Sequence, residues 1–419
     1  MNHPKVAIVG SGPSGCYAAQ FIHKYWQNAE INIFEALPVP YGLARYGIAA
    51  DHQGNKAITK QFDRLFERAN VNFIGNVNIG TDINLDQLKN NFDYVIQATG
   101  LFYDKKVNIA IDAKACVVGA GHLLRLINSC PLYSYPQFNN QYNHVGQEIA
   151  IIGAGNVALD VARLLSKKTE ELQGSDVDDD FIQQIRPYPI HTIHILSRSD
   201  LSQAKFDLSM FKELLHLSDV KIVLDAMSEP KHEIVQLVTT HTLEKQETGK
   251  TKIIFHFNHT PLSINKIDEK TQLQTLNSLT NSHVDFKVDT VITAIGFEGQ
   301  QNKHHQKDAE LIQVGWFKRG SVGTVADNRK DTKKIIDDLI QNFEQQPTIF
   351  KKLGLSAIKD ALPKNIVSFN DWKSIEAYER ITASNQRCRK KVSNVQQMLN
   401  VIEKSRQSSS QPMPLNTFA

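Results

Sequence analysis

Short β-branched runs alternate with longer amphipathic stretches along the first part of the chain. Residues 6–9 and 31–34 are two such runs, and residues 16–25 between them carry apolar side chains at helical spacing. A strand, a helix and a second strand in this order predict a βαβ unit that begins a parallel sheet.

The same pattern returns about 140 residues further along, which indicates a structural repeat. Residues 149–152 predict a strand and residues 156–167 a helix, while residues 94–100 and 290–296 are strand patterns that end in small residues. We therefore predict an α/β fold with two doubly wound, Rossmann-like dinucleotide-binding domains.

Three other segments have their own patterns. Residues 173–186 contain four aspartates and predict a solvated helix start or a loop. Residues 221–288 alternate Ile and Val with polar residues, which predicts antiparallel strands appended to the second domain. Residues 405–419 are rich in Ser, Gln and Pro, which predicts a flexible tail.

A glycine-rich turn joins the first predicted strand to its helix. In this turn Gly10 allows the tight bend, Gly12 lets the backbone approach a pyrophosphate, and Gly15 lets the helix pack closely on the strand. The helix N-terminus adds N–H groups and a positive dipole. Glu35 follows 20 residues after Gly15, at the end of the next strand, where it can accept hydrogen bonds from a ribose. Together these features predict a dinucleotide site.

The second repeat carries a variant of this turn, in which Gly153, Ala154, Gly155, Asn156 and Val157 join the strand to the helix. Two dinucleotide sites in one chain imply a redox prosthetic group and a hydride donor. FAD and NAD(P)H are the natural pair.

The strand after the second turn ends without an acid. Arg198 stands at that end, and a lone cation there suits a 2′-phosphate better than a bare ribose. A solvated arginine at a strand end is the alternative interpretation.

Composition and charge exclude several other classes. The formal charge of +3, from 47 basic and 44 acidic residues, is too small for a protein that mainly coats nucleic acid. The four cysteines lie far apart without a C-x-x-C pair, so we expect no disulfide framework and no cysteine-based zinc site. The histidine pairs 191/194 and 304/305 are assigned to strand faces or the surface, so no metal site is predicted.

The hydropathy pattern predicts a cytoplasmic protein. No apolar run approaches the ~18 residues that span a bilayer. Residues 1–5, which precede the first strand, leave no room for a signal peptide.

Longer motifs are shared with a known family. They are residues 34–52 (FEALPVPYGLARYGIAADH), 75–77 (GNV), 155–163 (GNVALDVAR) and 315–320 (GWFKRG). The chain resembles adrenodoxin reductase-type ferredoxin–NADP reductases over nearly its whole length, down to residues 371–372 and 398–399. The resemblance implies an NADP domain inserted into a FAD domain. The parts are then residues 1–105 and 289–404 for the FAD-binding domain, 106–288 for the NAD(P)-binding domain with appended strands, and 405–419 for the tail.

The resemblance also implies roles for individual residues. The expected FAD contacts, beyond the first glycine turn, are Ser14, Glu35, Leu43, Ile79, Trp316, Gly323, Thr324 and Val325. Gly323 is also where the nicotinamide approaches, and residues 154–157 match the NADP pyrophosphate turn. His52 and Glu213 match polar residues beside the flavin that are implicated in proton handling and nicotinamide placement. For His52 alone, a hydrogen-bonded core histidine is the alternative.

Two positions depart from the family pattern. Arg198 is followed by Ser199 where the family has a second arginine, and Met210 replaces an acid three residues before Glu213. We therefore expect NADPH as the hydride donor, with NADH as the alternative.

The implied activity passes a hydride from NADPH to bound FAD and then single electrons to a ferredoxin-type iron–sulfur protein. Ferredoxins are generally acidic, so a basic docking patch on a monomer is expected. Arg387, Arg389 and Lys390 are the first candidates, and residues 329–334 are a second basic cluster. Solvated helix faces are the alternative for both.

Two other functions fit the same residues. One is an NAD(P)H-dependent flavin oxidoreductase that reduces quinones, dyes or oxygen. The other is an electron-transfer subunit that acts only inside a larger complex.

Overall fold

The structure is a computed structural model that describes residues 3–68, 70–136, 138, 143–225, 232–244, 250–299, 311–347 and 349–410. It divides into two compact units. The first unit contains Met1–Ile48, His52–Phe102 and Glu298–Ala419, and the second contains Ala49–Asp51 and Tyr103–Phe297. Along the sequence, the second unit is thus an insertion into the first, as predicted.

The strands of the described residues are, in chain order, β1 (Lys5–Val9), β2 (Glu30–Glu35), β3 (Val71–Gly75), β4 (Tyr94–Gln97), β5 (Tyr103–Asp104), β6 (Ala110–Ile111), β7 (Val117–Gly119), β8 (Glu148–Ile152), β9 (Thr192–Leu196), β10 (Val220–Asp225), β11 (Thr251–His256), β12 (His259–Ile267), β13 (Lys270–Asn277), β14 (Ser282–Val288), β15 (Thr290–Thr293), β16 (Phe297–Glu298) and β17 (Leu311–Gln313).

The helices of the described residues are α1 (Pro13–Tyr25), α2 (Leu43–Tyr46), α3 (Gln53–Lys56), α4 (Ile58–Arg68), α5 (Leu85–Asn91), α6 (Ala120–Ile127), α7 (Asn156–Ser166), α8 (Asp179–Ile185), α9 (Leu208–Leu215), α10 (Glu233–Glu244), α11 (Trp316–Arg319), α12 (Val325–Gln345), α13 (Phe369–Ile381) and α14 (Val395–Ser410). Short 3₁₀ helices lie at Glu170–Leu172, Leu201–Gln203, Gly354–Ala357 and Lys359–Ala361.

The first unit is built on a parallel sheet of five strands among the described residues, in the order β17-β4-β1-β2-β3. Four of the five residues of β1 are buried, as expected of a parallel strand that is covered on both faces. The strand order reverses between β1 and β4. At such a switch point a crevice opens beyond the carboxyl ends of the strands.

A buried charge network organises the C-terminal part of this unit. The Arg45 guanidinium forms an ion pair with Glu379, whose side chain is fully buried. Glu379 also accepts a hydrogen bond from the Val392 N–H at 3.0 Å, and its backbone carbonyl accepts one from the Lys390 N–H at 2.8 Å. One carboxylate thereby holds the segment after α13 in place.

The second unit is built on a parallel sheet in the order β10-β11-β9-β8-β15-β7. A second sheet of β14, β13, β12 and β6 packs on it through Ile264, Leu273 and Phe286. The order of the large sheet reverses between β8 and β15, which again marks a switch point. The prediction of two doubly wound domains is confirmed.

The prediction for residues 221–288 is wrong in its first half. β10 and β11 are parallel strands of the large sheet, with α10 between them along the chain, and only β12, β13 and β14 form the antiparallel meander. The sequence of α10, EIVQLVTTHTLE, is rich in β-branched residues, which have low helix propensity and hide the helical pattern. Packing of Ile234, Val235 and Val238 on the core outweighs that preference.

The predicted boundaries also shift. β15 pairs with β7 and β8 and so belongs to the second unit, which ends at Phe297 and not at 288, and begins at Tyr103 and not at 106.

Two segments expected to be solvated are partly packed. In residues 173–186 a helix does begin, at Asp179, but Phe181, Ile182 and Ile185 of that helix are buried. The predicted tail begins at 405, yet α14 continues to Ser410 because Arg406 forms an ion pair with Asp371 at 2.6 Å. Residues 411–419 lie outside the described residues. Within the part of the chain that is described, no helix is long and apolar enough to cross a membrane.

The Glu379 network generates a first prediction. Glu379→Gln leaves the buried Arg45 without its carboxylate, and breaking a buried ion pair in this way costs about 3–5 kcal/mol. We expect chemical unfolding, followed by circular dichroism, to begin at a clearly lower denaturant concentration. Glu67→Gln, at an exposed position on α4, is the matched control and is expected to leave the curve unchanged. Equal curves for both variants would contradict the role given to Glu379.

Candidate functional site

The glycine turn after β1 closes against the neighbouring strand β4. Gly10 has φ +103°, and a Cβ there would lie 2.6 Å from the Ala98 carbonyl oxygen, so only glycine fits. A Cβ on Gly15 would lie 2.0 Å from the Gly10 carbonyl oxygen, so this glycine is required for α1 to pack. Gly12 differs, because apart from its two chain neighbours no atom of the described residues lies within 4 Å of the Cβ position there. The turn therefore has open space at the N-terminus of α1.

Glu35 lies at this turn, at the end of β2, as predicted. Its Oε2 accepts hydrogen bonds from the Ser11 N–H at 3.0 Å and the Ser11 hydroxyl at 2.6 Å, and its Oε1 accepts one from the Leu37 N–H at 3.2 Å. The carboxylate thus fixes the turn itself. Contact with a ribose stays a prediction. Ser11 was not singled out from the sequence, although it lies inside the glycine motif.

Near residue 315 the chain comes back to the glycine turn that follows β1. β17 pairs with β4, and a Cβ on Gly315 would lie 2.0 Å from the Ser14 hydroxyl oxygen, so Trp316 begins α11 beside the glycine turn. Thr324 caps α12 by accepting from the Asp327 N–H at 3.3 Å, and its own N–H donates to Asp327 at 2.8 Å. This backbone hydrogen bond lowers the pKa of Asp327.

The other residues expected at the FAD site lie close to these elements. Gly323 has φ +87° and precedes the cap, and Val325 is the first residue of α12. Leu43 is half-buried at the start of α2, directly after Gly42, whose Cβ would lie 3.2 Å from the Gly12 Cα. Ile79 follows Val77, whose N–H donates to the Glu35 carbonyl at 2.9 Å. Contact of these residues with FAD stays a prediction.

The second turn repeats the geometry of the first. Gly153 has φ +110°, and a Cβ there would lie 2.4 Å from the Ala294 carbonyl oxygen of the strand across the switch point. At Gly155 no atom of the described residues lies within 4 Å of the Cβ position. Asn156 exchanges two hydrogen bonds of 2.7 Å with Asp207, which fixes the first residue of α7. Ala154 and Val157 pack against the core.

Arg198 lies just beyond the carboxyl end of β9. Its side chain is exposed, and no carboxylate among the described residues forms an ion pair with it. The loop around it is held by the Ser197 hydroxyl, which donates to the Ser199 carbonyl at 2.9 Å. Met210, which replaces the expected acid, is half-buried and packs on the core. Binding of a 2′-phosphate by Arg198 stays a prediction.

Glu213 belongs to a charge cluster that the sequence analysis missed. Arg163, only 2% exposed, forms ion pairs with Asp51 and with Asp160 at 2.6 Å, and its Nε lies 3.6 Å from Glu213 Oε2. Lys167 adds an ion pair with Asp51 at 2.6 Å. Asp51 and Arg163 both lie inside the family motifs, and this was the feature of the sequence from which the charge cluster could have been found.

His52 lies in the first unit, at the start of α3. Its backbone carbonyl accepts hydrogen bonds from the Asn55 and Lys56 N–H groups, both at 3.1 Å, and its side chain is half-buried. The roles of His52 and Glu213 stay predictions.

Two of the three docking candidates are buried or form ion pairs within the first unit. Arg387 is buried, at 8% exposed, and Arg389 pairs with Glu376 at 3.0 Å and with Glu379 at 3.5 Å. Burial opposes the ionisation of Glu376, but its cationic neighbours lower its pKa to about 2. Lys390 alone is exposed. Docking on Arg387, Arg389 and Lys390 stays a prediction, with Lys390 as the exposed member of the three.

The two units together define a protein with two dinucleotide-type sites. The chain belongs to the pyridine nucleotide-disulphide oxidoreductase family, whose sequence model matches residues 4–333. It is therefore an oxidoreductase. Its four cysteines lie in the described residues, and no disulfide joins any two of them.

Individual relatives show which class of oxidoreductase the chain resembles, and it is the class expected from the sequence motifs. The chain is 38% identical over 421 residues to cindoxin reductase of Citrobacter braakii, covering 94% of this chain and 90% of the relative. It is 27% identical over 454 residues to NADPH-ferredoxin reductase FprA of Mycobacterium tuberculosis, covering 94% and 98%. The solved structure of that FprA in complex with NADPH matches with a TM-score of 0.84 at 25% identity, covering 96% of this chain and all of that chain. The adrenodoxin reductase-type resemblance and the fold are confirmed.

The two turns fit FAD and NADPH. In each unit, the second glycine of the turn leaves open the space in which a pyrophosphate would meet the helix N-terminus. In the first unit Glu35 bonds to Ser11 of the turn, and in the second unit Asn156 is the first residue of the helix that follows the turn.

The contrast between Gly12 and Gly15 gives a test of the first turn. Gly12 has φ −65°, so Gly12→Ala is expected to fold normally but to bind flavin at least tenfold more weakly, because its methyl group fills the pyrophosphate space. Gly15→Ala is expected to lower the melting temperature as well, because its methyl group meets the Gly10 carbonyl. Flavin absorbance after dialysis and thermal melting of the apoprotein measure the two effects. Normal flavin retention in Gly12→Ala would contradict the assignment.

Proposed function

We propose that this protein is a ferredoxin–NADP(+) reductase that passes a hydride from NADPH to bound FAD and then single electrons to a ferredoxin-type iron–sulfur protein. FAD and NADPH are the two cofactors of this reaction. FAD, when bound, takes up the electron pair of a hydride and can release the electrons one at a time.

The observation that carries this proposal is the pair of glycine turns at the switch points of two separate parallel sheets. One chain then holds a flavin and a nicotinamide dinucleotide at the same time. An enzyme that reduces a small substrate directly with NADPH, without a flavin, would need only one such turn.

The residues at each turn have distinct tasks. In the first unit, the N–H groups of α1 bind the FAD pyrophosphate, while Glu35 holds Ser11 and thereby the turn. In the second unit, α7 binds the NADPH pyrophosphate and Arg198 binds the 2′-phosphate. Arg163, itself held by Asp51, keeps Glu213 in position for placing the nicotinamide. His52 holds or moves a proton beside the flavin.

The names of the relatives support the acceptor. Cindoxin reductase, NADPH-ferredoxin reductase and NADPH:adrenodoxin oxidoreductase are each named for the protein that they reduce. The expectations of a cytoplasmic location and of a monomer stay predictions.

Arg198 gives the sharpest test of the nucleotide assignment. Arg198→Ala removes the charge-assisted hydrogen bonds to the 2′-phosphate, about 1.5–3 kcal/mol, so the Kd for NADPH should rise roughly ten- to hundredfold. The Kd for NADH should not change, since NADH has no 2′-phosphate. Lys287→Ala, at an exposed position on β14, is the matched control. An equal loss of affinity for both nucleotides would contradict the role of Arg198.

For the acceptor we propose docking on the first turns of α12. Arg329, Lys330 and Lys334 are exposed there, and Lys334 lies about 14 Å along the helix from Val325. Asp331, the acid within this cluster, forms an ion pair with Arg319. A positive surface thus begins next to the helix cap that is expected to lie along the flavin. This location suits an acidic electron acceptor better than Lys390 alone.

Charge reversal tests this surface. The triple variant Arg329→Glu, Lys330→Glu, Lys334→Glu is expected to slow NADPH-dependent reduction of an acidic ferredoxin at least tenfold at low ionic strength. Reduction of ferricyanide should stay normal, because a small acceptor needs no docking surface. Lys105→Glu, Lys106→Glu, Lys114→Glu, at exposed positions of the second unit, is the matched control. A ferredoxin rate and salt dependence equal to those of the unaltered protein would exclude α12 as the docking site.

A further inference from the structure

Three histidines and an aspartate meet within the second unit, at the carboxyl edge of its large sheet. Asp225 and His256 are the last residues of β10 and β11 and lie opposite each other in the parallel register. His259 begins β12, and His194 lies on β9 next to β11. One ligand atom from each of Asp225, His256 and His259 lies within 4.8 Å of the others.

The hydrogen bonds of His259 determine its tautomer. The Thr275 hydroxyl donates to the Val284 carbonyl at 3.1 Å, so Thr275 Oγ1 accepts from His259 Nδ1, 2.9 Å away. His259 Nε2 then carries the lone pair, and the Asn277 amide donates to it at 3.2 Å. A lone pair on a fixed ring nitrogen is what a metal ligand requires.

His256 is held from both sides of its ring. Its Nδ1 lies 2.8 Å from Asp225 Oδ2, and its Nε2 lies 2.9 Å from His194 Nδ1. The main chain is held as well, because the Ser197 N–H donates to the His256 carbonyl and the His259 N–H donates to the Ser197 carbonyl, both at 2.8 Å. The two imidazoles are therefore oriented before any ion binds.

The surroundings of these histidines disfavour the charged imidazolium form. The Phe286 ring packs against His194, His256 and His259, with ring centroids 5.2, 4.9 and 5.7 Å away. Burial lowers the pKa of His256 and His259, and burial together with the positive charges nearby lowers that of His194 to about 4. Neutral imidazole is the form that binds metals.

We propose that Asp225, His256 and His259 form a binding site for a divalent first-row transition metal, best suited to Zn²⁺, and that His194 positions His256. Two imidazoles and a carboxylate are a common ligand set for zinc, with water as the fourth ligand. On binding, His256 ligates through Nδ1 and donates its Nε2 proton to His194 Nδ1, an outer hydrogen bond typical of metal-bound histidines. The Nδ1 proton of His256 leaves to solvent past Asp225, the proton shared with His194 Nδ1 moves onto His256 Nε2, and His194 takes up a proton from solvent on its own Nε2, so both rings stay neutral.

The distances and the exposure suit such an ion. Ligand atoms around tetrahedral zinc lie roughly 3.4 Å apart for bonds of about 2.1 Å. The 2.8 Å separation of Asp225 Oδ2 and His256 Nδ1 and the 4.8 Å limit for the whole set bracket this value. The Asp225 side chain is 62% exposed and the His256 side chain 9% exposed, so an ion can enter on the aspartate side.

The test is a Zn²⁺ titration of the tag-free, flavin-loaded full chain after treatment with a chelator, followed by calorimetry. We expect one Zn²⁺ per chain and a higher melting temperature with Zn²⁺ present. His256→Gln, His259→Gln and Asp225→Asn should each weaken binding at least tenfold and abolish the thermal shift. His283→Gln, an exposed histidine of β14, is the matched control and should bind normally.

The spectrum of bound Co²⁺ separates ligands from the positioning residue. Co²⁺ bound to the unaltered chain should show the intense visible bands of tetrahedral coordination, and His259→Gln should remove them. His194→Gln should lower the affinity and keep the bands, because the three ligands remain. Melting without metal checks that each variant is folded. The proposal is overturned if no saturable Zn²⁺ binding occurs, or if binding survives in the double variant His256→Gln, His259→Gln. Neither readout depends on reductase activity.

Discussion

In both units a turn passes so close to the next strand that only glycine can stand there. A side chain at Gly10 would collide with the Ala98 carbonyl, and one at Gly153 would collide with the Ala294 carbonyl. Both contacts lie at a switch point, where the parallel sheet reverses its strand order. The close approach brings the N-terminus of a helix to the crevice, and every contact expected with a dinucleotide depends on it.

Polar side chains then hold each turn in position. Glu35 bonds to the backbone and hydroxyl of Ser11 in the first unit, and Asn156 bonds twice to Asp207 in the second. Each unit also contains a buried charge network that joins segments far apart in sequence, one centred on Glu379 and the other on Arg163. Because these turns are already rigid, little of the binding energy of a dinucleotide is used to order them. That energy can instead orient the reactive ring of the dinucleotide.

Local patterns predicted much of this arrangement. Glycine spacing and strand runs are set by neighbouring residues, so both turns and the two sheets could be predicted from them, whereas the insertion of one unit was expected from the family resemblance. Properties that depend on residues far away in the sequence could not be predicted in this way. The β-branched helix α10 is stabilised by packing on the core. Arg389 forms ion pairs with Glu376 and Glu379. The histidine cluster is assembled from separate strands. The departure at Ser199 was visible in the sequence, whereas the exposure of Arg198 needed the structure.

The central claim is that one chain brings a nicotinamide dinucleotide and a flavin into reaction. Anaerobic titration of the purified protein with NADPH, and separately with NADH, followed by the visible absorbance of the flavin, tests it most directly. We predict that NADPH bleaches the bound flavin at near-stoichiometric amounts and that NADH needs a far higher concentration. A flavin that neither nucleotide bleaches, or a colourless protein that cannot be reconstituted with FAD, would contradict the account.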